Sequence, residues 1–338
     1  MELHSNYPLN QLNTFQINAK AKRYVRFDRL DEIVSFLASE NLSKRSYLIL
    51  GGGSNLLFVG DLDDTVLHPF LKGIDIIDRD NDRIYVRVMA GEVWDDWVAF
   101  AVARGWGGIE NLSLIPGSVG ASAIQNIGAY GIEVKSVIDR VETLSLPDGN
   151  AVSFDAKSCG FGYRDSRFKS RWPGRHLITA IIFRLQLKPH FELGYTGVGE
   201  AVAKIGPPNL ANVRQAVIDL RRKKIPDPVD LGNAGSFFKN PIVSAGTLKA
   251  LLKKYPHLPH FPQNGNRFKL AAGWLIDQCG WKGKSLGDAA VHHQHALVLV
   301  NRGNATGREI LQLSNKIVQS VSARFGIALE REVRVVGG

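Results

Sequence analysis

Cysteine is scarce: Cys159 and Cys279 are the whole complement of 338 residues. Two thiols so far apart exclude a disulfide framework and a cysteine-based zinc site. They fit a reducing compartment, and a cytoplasmic protein is expected. No run of about 18 apolar residues occurs, so no membrane-spanning helix is expected. Residues 1–10 carry no basic start followed by an apolar stretch, so no secretory signal is expected. Long basic tracts are missing as well. The formal net charge is +10, from 42 Lys and Arg against 32 Asp and Glu. Yet the densest cluster is only Arg221-Arg222-Lys223-Lys224. A generally basic protein, or one that takes a small polyanion such as a nucleotide, accounts for this better than a nucleic-acid binder. There is no internal repeat and no low-complexity segment.

What is present is an ordinary globular mixture, 44% apolar and 22% charged, long enough for about two domains. Glycine is in excess, 34 residues, against an average near 7%. Without a collagen-like period, that excess points to tight turns or to backbone held close to a ligand.

Strand-like and helix-like segments alternate. A helix is expected over 30–42, capped by Asp28, with Leu30, Ile33, Val34 and Leu37 on its buried face. Strands are expected over 47–50, 74–77 and 84–89. A helix follows over 94–104, with Val93, Trp97, Val98, Ala101 and Val102 inward and Gly105 as its stop. Strands over 137–146, 151–154 and 177–187 surround a turn at Pro147-Asp148-Gly149-Asn150. Further helices are expected over 211–224, 245–255, 271–279 and 306–325, with strands over 296–301 and 332–336. The class is α+β.

Three glycine-rich stretches punctuate the chain. Gly51-Gly52-Gly53-Ser54-Asn55 follows a strand, but Leu56 to Val59 continue as strand. A dinucleotide Rossmann turn would lead into a helix; a plain hairpin turn also explains the run. The second stretch, Ile115-Pro116-Gly117-Ser118-Val119-Gly120-Ala121-Ser122-Ala123 and on through Gln125-Asn126-Ile127-Gly128-Ala129-Tyr130-Gly131, says more. Gly, Ala and Ser fill nine of the seventeen positions from 115 to 131. Small residues let amide groups reach a pyrophosphate without a cation; a tight core crossing is the other reading. The third, Gly232-Asn233-Ala234-Gly235-Ser236-Phe237-Phe238-Lys239-Asn240-Pro241, reads as a loop presenting Ser236. It lacks the Gly-x-Ser-x-Gly elbow of a hydrolase, so Ser236 is a candidate proton donor or hydrogen-bonding group.

Taken together, these strings resemble the UDP-N-acetylenolpyruvoylglucosamine reductases. The likeness runs from Asn13-Thr14-Phe15 to Val335. It also includes Tyr163-Arg164-Asp165-Ser166, Lys224 to Pro228, Ala271 to Asp277 and Glu332-Val333-Arg334. The resemblance implies an FAD-binding fold of the vanillyl-alcohol-oxidase type in two N-terminal subdomains, residues 1–70 and 71–210. A substrate domain over 211–330 and a C-terminal strand over 331–338 complete it. It implies FAD, held by Gly51, Gly52, Gly53, Ser54, Asn55, Pro116, Gly117, Ser118, Gly120, Ala121, Ser122, Gln125, Asn126, Gly128, Ala129 and Gly131. No His or Cys lies in either loop, so the flavin is expected to be non-covalent. The implied reaction uses NADPH as hydride donor, reduces an enolpyruvyl ether, and serves peptidoglycan precursor synthesis. A monomer acting on small molecules is expected. The rival is another flavin oxidoreductase of the same fold, an alcohol or sugar oxidase.

The resemblance also assigns roles. Arg164 holds the carboxylate into which charge is pushed; its planar fork suits that group. Ser236 gives a proton to C2, a task for a weak acid only when the acceptor is a strongly basic carbanion. Glu332 is the third catalytic residue; alternation would put it on one face with Arg334. Tyr195, Lys224 and Asn240 are implied substrate contacts. Two positions depart from the pattern of the longer subtype. Phe261 stands where a loop tyrosine lies near the uridine, and His295 where some relatives have glutamine. His292-His293-Gln294-His295 does not follow a metal-binding helix pattern, and no metal is expected.

Overall fold

The computed structural model describes residues 1–40, 46–146 and 148–337. They divide into two compact units. The first comprises residues 1–7, 21–53 and 63–223, the second residues 8–20, 54–62 and 224–338.

The first unit is built on two sheets. A five-stranded sheet runs in the order Ala151–Asp155, Ile138–Ser145, His176–Gln186, Arg83–Met89, Ile74–Arg79, antiparallel throughout. Its central strand, His176–Gln186, is buried along nearly its whole length, and alternating Ile84, Val86 and Val88 line the neighbouring strand. Against it packs the helix Trp94–Ala103, whose Trp94, Trp97, Val98 and Ala101 are buried with Phe183. Gly105, at φ +76°, lets the chain turn away after that helix. A second sheet runs Glu2–Pro8, Lys20–Phe27, Leu62–Pro69, Tyr47–Ile49. Cys159 is buried in the larger core, and burial pushes its thiol up to about 12. A thiol so protonated and enclosed is inert at neutral pH.

The second unit holds a four-stranded sheet in the order Gly232–Ser236, Val298–Asn301, Ala289–Val291, Ser285–Leu286. It also holds a three-stranded sheet in the order Ile242–Ser244, Arg267–Leu270, His260–Gln263, and a parallel pair of Arg334–Val336 with Leu56–Phe58. Its long helix Gly307–Phe325 begins with a capping box. The Thr306 hydroxyl accepts from the Glu309 amide, and the Glu309 carboxylate accepts from the Thr306 amide. Gly307 is obligatory, because a Cβ there would lie on the Phe58 carbonyl oxygen.

Several expectations need correction. The first helix spans Leu30–Ser39 and is capped at Arg29, not Asp28; its buried face is Ile33, Phe36 and Leu37, with Leu30 and Val34 exposed. Val93 is exposed as well. The third glycine-rich stretch is a strand at Gly232–Ser236, not a loop. The last strand begins at Arg334, so Glu332 lies before it and does not alternate with Arg334. His293 and His295 sit on the turn after Ala289–Val291. Pro147 of the expected turn, and residues 41 and 42 of the first helix, lie outside the described residues.

Candidate flavin cradle and reduction site

In the first unit the first two glycine-rich stretches lie on one another. A Cβ on Gly52 would sit 2.7 Å from Gly117 Cα, and one on Gly51 would sit 2.7 Å from Ser118 Oγ. These glycines are needed first so that loop can stack on loop. Gly53 has φ +62°, which glycine adopts without strain. The second loop is pinned from behind: the Val119 amide donates to the Glu92 carbonyl at 2.8 Å and the Gly120 amide to the Ala90 carbonyl at 2.9 Å. Gly120 and Ser122 are buried, and the Ser122 hydroxyl donates to the Val119 carbonyl. The solvent side is left to Gly52 and Pro116, which are exposed, and to the half-buried Gly117, Ser118, Ala121, Gln125, Gly128 and Ala129. A cradle of small residues with a rigid back fits an extended phosphate-bearing cofactor.

Charged side chains fix where that loop starts. Leu114, at φ +58°, donates its amide to Asp95 Oδ1 at 2.6 Å. Arg214 grips the same carboxylate with both terminal nitrogens, at 2.7 and 2.9 Å, and Arg221 Nε donates to the Leu114 carbonyl at 3.2 Å. Burial pushes the Asp95 carboxyl up, but the Arg214 fork and the Leu114 amide outweigh it, so it lies below the ordinary carboxylate value.

Arg164 and Tyr195 are brought to the same loop. Arg164, at φ +53°, donates from Nη2 to the Gly128 carbonyl at 2.6 Å. Gly128 leaves room for it: a Cβ there would be 3.0 Å from Arg164 Nη1. Asn126 ties the two segments together, its amide nitrogen donating to Gly162 O at 2.8 Å and its Oδ1 accepting from the Lys135 amide. The Asn126 side chain is fully buried and serves this tie. Tyr195, 47% exposed, meets Tyr130 edge to face at 5.4 Å. The buried amide of Asn111 donates to the carbonyls of Tyr130 and Glu192, both at 2.8 Å, and so holds both aromatic segments.

In the second unit Ser236 and Glu332 become neighbours. The chain bulges between Asn233 and Ser236, with Gly235 at φ +66° and buried Asn233 bonding Pro226 and Leu231 carbonyls and the Gly235 amide. Beyond the bulge the Glu332 amide donates to the Phe237 carbonyl and the Lys239 amide to the Glu330 carbonyl, both at 2.9 Å. Asn55 joins them: its side-chain nitrogen donates to the Glu332 carbonyl at 3.1 Å. Ser54 and Asn55 thus belong to this unit, while Gly51 to Gly53 belong to the first. Asn240 Oδ1 accepts from the Ala272 amide at 2.9 Å, which caps the helix Ala272–Gln278. Lys224 acts electrostatically on His295. Phe261, 49% exposed, stands apart on His260–Gln263.

The chain matches the model of an FAD binding domain over residues 21–155, a span that holds both stacked loops. Residues 227–336 match the C-terminal domain of UDP-N-acetylenolpyruvoylglucosamine reductase. The reductase of Bacteroides fragilis is 46% identical over 99% of this chain and all of its own length, and that of Flavobacterium johnsoniae is 43% identical over 99% and 100%. The chain belongs to the UDP-N-acetylenolpyruvoylglucosamine reductase family. It is an oxidoreductase with an FAD-binding α+β fold. In fold it is similar to the Thermus caldophilus member, with a TM-score of 0.69 at 24% identity, covering 99% of this chain and 98% of that one.

Sequence alone does not single out Asp95, Asn111 or Arg214, and marks Arg221 only as part of the densest basic cluster. Asp95 stands in Trp94-Asp95-Asp96-Trp97, a charge placed beside two buried tryptophans. That is a signal that it needs a partner, but nothing in the sequence names Arg214 as that partner.

Proposed function

We propose that the enzyme reduces the enolpyruvyl ether of UDP-N-acetylenolpyruvoylglucosamine to UDP-N-acetylmuramate, with NADPH as the electron source and non-covalent FAD between them. The observation that supports the reading is the backbone bond from the Glu332 amide to the carbonyl of Phe237, the residue after Ser236, in a chain whose full-length relatives bear the reductase name. The two stacked loops would hold the flavin, which when bound supplies a hydride to C3.

The protein's part is electrostatic and protonic. Hydride addition at C3 drives negative charge into the adjacent carboxylate. Arg164 meets it with a planar fork whose geometry is set by the Gly128 carbonyl, and such preorganised donors stabilise developing charge without reorganising. Ser236 delivers the proton to C2. Its hydroxyl is a weak acid, and an enolate is basic enough to take from it. Glu332 orients that hydroxyl. Tyr195, Lys224, Asn240, Phe261 and His295 would contact the nucleotide part of the substrate. A role in cytoplasmic cell-wall precursor synthesis follows from this activity.

The test is an anaerobic absorbance experiment. NADPH should bleach the yellow protein, and the enolpyruvyl substrate should restore the colour. In Ser236→Ala the first step should survive and the second should slow by about 10³-fold or more, the scale of a lost proton donor. Recolouring by oxygen alone would point to an oxidase of the same fold.

A further inference from the structure

Acidic residues stop at Asp230 and resume only at Asp277. The forty-six positions between them carry six Lys and Arg and no side-chain carboxylate. The middle of this stretch, residues 242–270, folds into the three-stranded sheet of the second unit and the helix Ala245–Lys254. The helix buries Leu248 and Leu251. Along it runs a groove of about 430 Å³, lined by Ala245, Leu248, Lys249, Leu252, Lys253 and Phe268. The five helical residues fall at i, i+3, i+4, i+7 and i+8, so the groove follows one helix face for about 12 Å, or about two turns.

The floor is apolar and the rim is cationic. Ala245, Leu252 and Phe268 are half-buried, while Lys249 and Lys253 are exposed. Neither lysine has an ion-pair partner among the described residues. The helix dipole favours Lys253 in the last turn, but it accounts neither for Lys249 nor for a surround without carboxylates. Phe268 pairs with Val243 and Pro262, and Phe261 pairs with Lys269. Alternation therefore sets Phe268 and Phe261 on opposite faces of the sheet, and the groove is a surface apart from the nucleotide contact proposed for Phe261.

Apolar area framed by polar side chains marks a contact surface. Its shape and charge choose the occupant. A concave floor receives projecting apolar side chains; a lipid surface would need apolar groups that stand out from the protein. Unpaired lysines on the rim select carboxylates. We propose that this groove docks an amphipathic helix of an acidic partner protein, with apolar side chains at i, i+4 and i+7 on the floor and carboxylates on Lys249 and Lys253.

The probe is a fluorescein-labelled peptide of about 16 residues, long enough to hold helical turns, with Leu at that spacing and Glu on its other face. It is titrated with the FAD-loaded enzyme and followed by anisotropy. A Kd on the order of 10 µM is expected, the range of a small transient contact. The double variant Lys249→Glu/Lys253→Glu should weaken binding by about tenfold or more and should instead take the same peptide with Lys in place of Glu. Ala245→Leu, which fills the floor and leaves every charge in place, should weaken binding by a similar factor. Flavin absorbance and unchanged turnover report that both variants fold. Undiminished binding in Ala245→Leu, or equal binding of a peptide of the same composition with its Leu dispersed, would show charge attraction without a groove and overturn the proposal. So would no binding by the native enzyme, or unchanged affinity in the lysine double variant. Binding to phosphatidylglycerol vesicles without binding to the peptide overturns it in favour of a membrane surface.

Discussion

Asn55 donates its side-chain amide to the carbonyl of Glu332 at 3.1 Å, and its own carbonyl accepts from the Arg334 amide at 3.0 Å. The last residue of the first glycine-rich stretch therefore fixes the backbone that carries Glu332. Asn55→Ala removes a bond of about 1 kcal/mol, a small loss in global stability. The Glu332 backbone is freed at its carbonyl, and kcat for the enolpyruvyl half-reaction should fall by about tenfold with KM little changed. Asn55→Asp should cost more, because it sets an acceptor against an acceptor. Steady-state kinetics on both variants check this; an unchanged kcat in both would remove Asn55 from the positioning of Glu332.

Gly128 makes a second testable relationship. A methyl group there would meet Glu133 Cγ at 2.9 Å, Arg164 Nη1 at 3.0 Å and the Ile132 carbonyl at 3.0 Å. The guanidinium is the most movable of the three. Gly128→Ala should therefore push Arg164 off its bond to the Gly128 carbonyl and slow reoxidation by the enolpyruvyl substrate by about 10²-fold, the scale of a lost charge-stabilising donor. Reduction by NADPH should be close to normal. Stopped-flow measurement of the two half-reactions separates these effects, and equal losses in both would mean that the loop itself had moved.

The Asp95–Arg214 fork predicts a defect of another kind. Both side chains are mostly buried, and the carboxylate also holds the Leu114 amide. Removing one partner of such a pair leaves an uncompensated charge. Arg214→Met should destabilise the protein by about 2 kcal/mol, somewhat less than breaking a fully buried pair because both side chains keep some exposure, and should weaken FAD retention because the second loop loses its fixed start. Asp95→Asn should do the same. Thermal melts with and without added FAD are the check: a destabilisation that excess FAD does not reduce would place the fork outside the cradle.

How much of this was legible beforehand follows from what sequence can encode. The helices over 94–103, 210–224 and 307–325 and the long central strands were readable, because an apolar face repeats along them. So was the α+β class, and so was the family, carried by short ordered strings spread over the chain. Glu2–Pro8 was missed because it is a largely exposed strand with no apolar alternation to announce it. Gly232–Ser236 reads as a loop in sequence because its strand character comes from pairing with Val298–Asn301 and not from its composition. The glycines of the first two loops were marked as notable, but their reason was half hidden. Gly51 and Gly52 make room for another loop, a long-range fact that no local pattern holds. For the same reason the neighbourhood of Ser236 and Glu332, ninety-six positions apart in the numbering, rests in sequence on the resemblance alone; in the fold the Glu332 amide bonds the carbonyl of Phe237, next to Ser236.

The last prediction concerns pH. The Tyr24 hydroxyl and His68 Nδ1 share a buried hydrogen bond of 2.7 Å, and Tyr7 stacks on Tyr24 at 4.1 Å. Burial, helped by Arg26, pushes the His68 imidazole down to about 4, while burial pushes the Tyr24 phenol up to about 12. In the unfolded chain His68 takes a proton at its ordinary value near 6.5. The folded state refuses that proton until pH falls to about 4. The stability this neutral pair gives is therefore whole above about pH 6.5 and lost as pH falls from there to about 4. One pKa unit is worth about 1.4 kcal/mol, so the loss from this group is about 3 kcal/mol. His68→Gln, which still accepts from Tyr24 but cannot titrate, should be less stable than the native protein near neutral pH yet should lose less on acidification. Urea unfolding at about pH 7 and about pH 4.5 measures the difference in slope. Equal slopes in the two proteins would show that His68 is not the group through which mild acid weakens this unit.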